Sequence, residues 1–336
     1  MKKQIITLVM IGMLFLALSF VGCGKEEQQS DTAQNEVELV EEANVEWTMT
    51  RKEGVEFGYR ITQLPFPLFW GGAAYSIVTP SGDLYLIDGG FQTEDSPRIT
   101  EYINAHGGRV KGWILTHPHV DHIGAFLDYA AAYPDTIEKV YYSPFTTEFF
   151  RDEEDPDTYQ LLNNAILYYE FLQVMEATSH QIEYEPLHVG DVVMLEEMKL
   201  ECYHSFDPKL KDINGNSLVF TLSLEDFTLL YTADMTEASL HSIQSTAAED
   251  ADIWDADVIQ IPHHGYQGGI TKEDLYRLTG AELALLDCTQ SEYDNNSAGI
   301  QTTVQLLEAL EIPIITRFSA PEGNSIYLYS EEGVKE

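Results

Sequence analysis

The sequence predicts an α/β fold: two β-sheets packed face to face, with helices on the outside. Three observations point there. Strand clusters separated by helices occur twice along the chain, giving two similar halves. Residues 110–115 form a near-continuous apolar run, as expected of a strand whose two faces are both covered by other layers. Polar residues of metal-ligand type fall at predicted strand ends, where a sandwich of this kind gathers its loops at one end.

The first half reads as strands over 47–60, 73–78 and 84–88, then a helix over 96–105 with Ser96 as its cap and Pro97 in its first turn. The strand 110–115, a polar loop, a helix reaching 132 and a strand over 138–142 follow. The second half has strands over 192–195, 199–203, 217–224 and 227–231, the last two joined by Glu225-Asp226. A helix over 236–244, a strand over 258–261, a helix over 271–278, a strand over 282–286, a helix over 301–310 and strands near Ile314 and Ile326 complete it. Residues 143–185 interrupt the pattern as a helical insertion. There residues 152–157 read as a solvated acidic turn. Residues 158–175 read as an amphipathic helix with Leu161, Leu162, Ile166, Tyr169 and Leu172 on its apolar side. Such an insertion can overhang a site and offer Phe145, Phe149 or Tyr159 to a substrate, or simply pack them.

Thr116-His117-Pro118-His119-Val120-Asp121-His122 directly follows the apolar run. Three imidazoles and a carboxylate in six positions are the ligand types a divalent transition metal takes. The spacing lets His117 and His119 face one ion while Asp121 and His122 face another, roughly 3.5–4 Å away. With no Cys in the set, Zn²⁺ is preferred and Mn²⁺ or Fe²⁺ is compatible.

This motif resembles that of the metallo-β-lactamase-fold hydrolases, and four further segments resemble them in order. Gly71-Gly72-Ala73-Ala74-Tyr75-Ser76-Ile77-Val78 and Leu84-Tyr85-Leu86-Ile87-Asp88-Gly89-Gly90 are similar to the family's opening strands. Leu229-Leu230-Tyr231-Thr232-Ala233-Asp234 and Val258-Ile259-Gln260-Ile261-Pro262-His263-His264-Gly265 are similar to two of its ligand-bearing strands. The resemblance implies a four-layer αββα sandwich over residues 46–336. It also implies two divalent metals: His117 and His119 on the first, Asp121, His122 and His263 on the second, Asp234 bridging, and Asp88 orienting the motif loop. Asn214-Gly215-Asn216-Ser217, Thr232-Ala233-Asp234 and Pro262-His263-His264-Gly265 most resemble the ComEC-like branch, with Ala233 and Tyr266 as departures from its usual Gly and Ser. The third His that many relatives place on the first metal has no counterpart here; His204 is a candidate only if its loop folds back.

Metal-assisted hydrolysis is the implied chemistry: a hydroxide held by two ions attacks phosphorus or a carbonyl carbon. Asp121 or Asp234 takes the nucleophile's proton, and His264 or Tyr266 is the candidate donor to the leaving group. β-Lactam cleavage is not expected, because lactamases of this fold lack the bridging Asp. Three readings stay open: a phosphodiesterase, an esterase or lactonase acting on a small cell-envelope molecule, and a non-enzymatic lipoprotein that binds a ligand at its metal pocket.

Eighteen Lys and Arg face 56 Asp and Glu, a formal charge of −38. That field disfavours nucleic acid as a substrate without excluding it, since a metal pair inverts the sign locally. Lys2 and Lys3, an apolar run over 5–21 and Phe20-Val21-Gly22-Cys23 resemble a bacterial lipoprotein signal. The expectation is a signal peptide over 1–22, a lipid on Cys23 and an acidic tether over 23–45. The catalytic domain then lies outside the cytoplasm, anchored to the cell membrane. An uncleaved membrane anchor is the alternative. Cys202 and Cys288 sit in apolar runs and are expected as buried free thiols.

Overall fold

The computed structural model describes residues 44–47, 58–66, 71–152, 158–246 and 252–328. The signal segment, Cys23 and the tether up to residue 43 lie outside the described residues, as does most of the acidic turn over 152–157.

The first half supplies β1 (Asn44–Trp47), β2 (Tyr59–Gln63), β3 (Ala74–Val78), β4 (Leu84–Asp88), α1 (Ser96–Ala105) and β5 (Gly112–Leu115). It continues with α2 (Val120–Ala132), β6 (Lys139–Tyr142), α3 (Thr147–Asp152), α4 (Thr158–Thr178) and β7 (Glu183–Pro186). The second half supplies β8 (Val192–Leu195), β9 (Met198–His204), β10 (Val219–Leu224), β11 (Phe227–Tyr231), α5 (Glu237–Thr246) and β12 (Val258–Gln260). Then come α6 (Glu273–Thr279), β13 (Leu283–Leu286), α7 (Gln290–Asp294), α8 (Ile300–Ala309), β14 (Ile314–Thr316) and β15 (Asn324–Leu328).

One sheet has the order β1-β15-β2-β3-β4-β5-β6-β7 and the other β14-β13-β12-β11-β10-β9-β8. In each, antiparallel hairpins give way to parallel strands: β4, β5, β6 and β7 run parallel in the first, and β11, β12, β13 and β14 in the second. Asn44 and Val45, expected in the tether, pair instead with Ser325 and Ile326 of β15.

Between the sheets lies a core that includes Tyr75, Ile77, Leu200, Phe220, Leu222 and Tyr231. Phe220 stacks on Tyr231 at 5.0 Å, and Tyr75 meets Tyr231 edge-on at 5.3 Å. A second core joins the first sheet to α1, α2 and α4, and a third joins the second sheet to α5, α6 and α8. Three cores separate four layers, the αββα sandwich.

The helical segment between β6 and β7 packs on the first sheet, but its buried face differs from the expected one. Ile166 and Tyr169 are 55% and 43% exposed, whereas Ala165, Leu167, Tyr168 and Phe171 are buried. The side chains of Tyr159, Leu161 and Leu162 fall outside the described residues. Apolar residues surround this helix, so periodicity could not choose a face. Aromatic packing chose: Tyr168 stacks on Phe150 and Phe171, beside Phe145, Phe149 and Phe206. Phe145 and Phe149 are therefore packing residues.

Candidate metal centre

Apart from His204, the ligand-type residues named above sit at or just beyond the carboxyl end of a parallel strand, where α/β sheets open a crevice. Asp88 ends β4, the His117–His122 motif follows β5, Asp234 follows β11 and the two adjacent histidines follow β12. Helix α2 begins at Val120, so Asp121 and His122 lie in its first turn with His119 as N-cap. Backbone N–H groups at that end favour the negative Asp121.

Asp88 sets the protonation pattern of the motif. It is fully buried and takes a left-handed backbone, φ 52°. Its Oδ1 accepts the Thr116 N–H at 2.9 Å, and its Oδ2 accepts Thr116 Oγ1 and His122 Nδ1, each at 2.8 Å. Thr116 has spent its hydroxyl proton on Asp88, so the contact of 3.0 Å between its Oγ1 and His117 Nδ1 is donated by the imidazole. One carboxylate thus keeps a proton on Nδ1 of both rings and turns His117 Nε2 and His122 Nε2 inward as the nitrogens a metal ion would take.

Those nitrogens face Asp234, which is 1% exposed. Its Oδ1 lies 3.2 Å from His122 Nε2 and 3.4 Å from His264 Nε2. Its Oδ2 lies 3.5 Å from His117 Nε2 and 3.9 Å from His263 Nε2. His119 Nδ1 is 3.1 Å from His117 Nε2. Asp121 Oδ2 is 3.3 Å from His264 Nε2 and 3.9 Å from His122 Nε2.

Two placements differ from expectation. His264, not His263, joins Asp121 and His122, and these three are close enough to share one ion. His263 faces the other oxygen of Asp234 and the Asn214 amide, 3.2 Å from its Nε2. The swap arises because both histidines adopt left-handed backbone, φ 50° and 56°, which turns the chain sharply between them. Tyr266 is also placed otherwise than a proton donor requires. Its hydroxyl donates to Glu292 and accepts the Gly71 N–H at 3.1 Å, and burial with Glu292 beside it pushes its pKa far up. His204 does not reach the site; its Nε2 is 2.8 Å from the Gly215 carbonyl oxygen and supports the loop that carries Asn214. Cys202 and Cys288 are free and buried.

Burial pushes the pKa of His117 and His263 down, and that of His119 to about 3. Burial also opposes charge on His122, but Asp234, Asp88 and Asp121 outweigh it and hold its pKa well above the usual range. Asp234 and Asp121 pull His264 up to about 9 against burial, while the Gly72 N–H, 2.8 Å from its Nδ1, opposes a second proton on that ring. The hydrogen bond decides: the ring's single proton belongs on Nε2. Burial alone would raise Asp234, yet the surrounding imidazoles hold its carboxyl well below the usual carboxylate range.

The donor set fits divalent cations. Nitrogen–oxygen gaps of 3.2–3.9 Å match ligands that each reach about 2.0–2.2 Å to a shared ion. Asp234 Oδ1 is buried without a hydrogen-bond partner, an expensive state for a carboxylate oxygen that a cation would relieve. His117, His122 and Asp234 form a second cluster able to hold an ion.

The family model of the Metallo-beta-lactamase superfamily matches residues 68–240, just over half of the chain. The chain belongs to the metallo-β-lactamase superfamily. A curated relative, RNase aCSPSF2 of Saccharolobus solfataricus, is 26% identical over 212 residues, covering 60% of this chain and 39% of the relative. The chain therefore spans well under half of that protein's length. The metallo-beta-lactamase fold protein YhfI from Bacillus subtilis superposes with a TM-score of 0.49 at 14% identity, over 80% of this chain and 98% of that one. Zn(2+)-bound PqqB from Methylobacterium extorquens gives 0.49 at 11% identity, over 80% and 100%. The superfamily is one of metal-dependent hydrolases, and among the groups described above His117, His122 and Asp234, and Asp121, His122 and His264, lie close enough together to hold metal.

Sequence reasoning missed Gly71-Gly72 as a site element, together with Glu292 and Arg317 behind it. The paired glycines were the available signal, because a Cβ on Gly71 would lie 2.7 Å from His264 Cγ.

Proposed function

We propose that the protein is a dinuclear metal hydrolase that cleaves a phosphodiester. The observation that carries this reading is Asp234, whose two oxygens face two separate imidazole groups. Asp121, His122, His264 and Asp234 Oδ1 would hold one ion, with the His264 Nε2 proton lost to solvent and the ring, still accepting the Gly72 N–H at Nδ1, ligating as an imidazolate. His117, His119 and Asp234 Oδ2 would hold the other, with His263 and Asn214 at its rim. Zn²⁺ suits the imidazole-rich set, and Mn²⁺ is compatible. Bound metals supply a nucleophile at neutral pH and neutralise charge on the attacked group.

The chain's own residues do the rest. Asp88 and Thr116 keep Nε2 of His117 and of His122 aimed inward. Asp121, 21% exposed, is the carboxylate placed to take the nucleophile's proton. His263, also 21% exposed, is the imidazole facing an incoming substrate. Support for a phosphodiester comes from the bridging carboxylate and from the ribonuclease named among the relatives. The segments over 214–217, 232–234 and 262–265 support a place in the ComEC-like branch. Lys2, Lys3, the apolar run and Cys23 support a lipid-anchored, extracytoplasmic enzyme.

The test is hydrolysis of bis-p-nitrophenyl phosphate by the detergent-purified full chain with Zn²⁺ or Mn²⁺. Turnover is expected and Asp121→Ala should abolish it. Cleavage of carboxyl esters or lactones without phosphodiesters would replace this reading with the esterase one, and metal binding without turnover on any of these would leave a binding protein.

A further inference from the structure

Residues 71–73 cross the back of the metal centre as a strap, held by groups distant in sequence. The Gly71 N–H donates to Glu292 Oε1 at 2.9 Å as well as to the Tyr266 hydroxyl. Glu292 is 4% exposed, and its Oε2 accepts the Thr289 N–H and hydroxyl, each at 2.9 Å, as part of the capping box of α7. Arg317, 2% exposed, follows β14 and donates from Nη1 to the Gly72 carbonyl oxygen at 2.5 Å. Asp287 is buried within its electrostatic reach. Asp287 in turn accepts from Gln63, Tyr75 and Gln260, so the cation behind the strap rests on a carboxylate tied to both sheets.

The other face of the strap meets the site. The Gly72 N–H points at His264 Nδ1, and the Ala73 N–H donates to the Asp121 carbonyl oxygen at 3.3 Å. A Cβ on Gly71 would sit 2.6 Å from the Tyr266 hydroxyl, so no side chain fits between strap and ring. The strap therefore cannot slide without moving His264.

We propose that Glu292 and Arg317 are positioning residues: through the Gly71-Gly72 backbone they fix the ring of His264, with Nδ1 as acceptor and Nε2 aimed at Asp121 and Asp234. Their contacts on the strap are to its backbone, not to a metal-binding side chain. Their effect is confined to the Asp121, His122 and His264 side, because His117 and His122 take their orientation from Asp88 instead. This rests on the dinuclear reading above but not on any substrate.

Two measurements on the full chain test it, and neither needs turnover. Long-range nitrogen–proton spectra of ¹⁵N-histidine-labelled, metal-free protein should show His264 with Nδ1 unprotonated. A wild-type spectrum with the proton on Nδ1 overturns the proposal regardless of how any variant folds. In Glu292→Gln and Arg317→Lys the His264 signature should shift while the His117 and His122 signals stay in place. In Zn²⁺ titrations of both variants one affinity should fall about 10-fold or more while the other holds within about twofold. Equal loss at both sites, or an unchanged His264 signature in both variants, sinks the assignment. These readouts stay informative even if bis-p-nitrophenyl phosphate is not cleaved, so the two readings fail separately.

Discussion

Replacing Asp88 by Asn is the sharpest test of how the centre is organised. The variant keeps shape and volume. Oδ1 still accepts the Thr116 N–H, but an NH₂ group now stands where Oδ2 received Thr116 Oγ1 and His122 Nδ1. Two donors then face a third. Leaving buried donors unsatisfied costs roughly 1–3 kcal/mol each, so folding stability should fall by about 2–4 kcal/mol after partial relaxation. The larger consequence is chemical. His122 can escape the clash by giving up its Nδ1 proton and keeping one on Nε2, the nitrogen that faces Asp234, which denies that nitrogen to a metal ion. Thr116 must also release His117 Nδ1, so both metal affinities should drop by about 10–100-fold, the usual cost of losing such an outer partner. Calorimetric titration with Zn²⁺ or Mn²⁺, alongside urea unfolding of the metal-free protein, measures both effects. An Asp88→Asn protein that binds two ions as tightly as the parent would refute the proposed control of the two tautomers.

Other outcomes follow from single positions. Ala233 has φ 47°, a conformation that costs a residue with a Cβ about 1–2 kcal/mol, so Ala233→Gly should leave stability unchanged or raise it by up to ~1 kcal/mol in thermal unfolding; a loss above ~2 kcal/mol contradicts the strain argument. Gly124→Ala should cost more than ~3 kcal/mol or prevent folding, because its Cβ would lie 2.3 Å from Gln92 N and 2.9 Å from Phe91 C, both backbone atoms; near-native urea stability would refute the close contact. Asp257 has its carboxyl raised to about 6, first by burial and then by Glu282, Asp255 and Asp226. A raised acid stabilises the fold at low pH and loses that contribution as pH climbs from about 4 through about 6. Asp257→Asn, which keeps an acceptor for the Thr228 N–H at 2.7 Å, should therefore gain melting temperature relative to the parent between pH 5 and pH 7.5. Solvent screening at this half-buried group keeps the gain small; identical pH dependence in the two proteins refutes it.

Much of the centre was legible because its signals are short-range. His117, His119, Asp121 and His122 fall within one strand end and one helix start, and Asp88 and Asp234 each close an apolar strand. The assignment of His263 and His264 was not legible. Adjacent residues with the same side chain differ here only through two left-handed backbone steps, and no pattern of polarity records those. Glu292 and Arg317 were invisible for another reason: each acts on a backbone group more than 200 positions away. The face of α4 was lost because its apolar residues encircle the helix, leaving aromatic stacking to decide.

The sandwich divides the donors by order of synthesis. His117, His119, Asp121 and His122 emerge well before Asp234, His263 and His264, and the latter three are carried by the opposite sheet. A nascent first half owns at most a partial ion trap. On the proposed reading, full capture of a cation would wait until the second sheet has docked, after which a bound ion would stitch the halves together and add to the work of prying them apart.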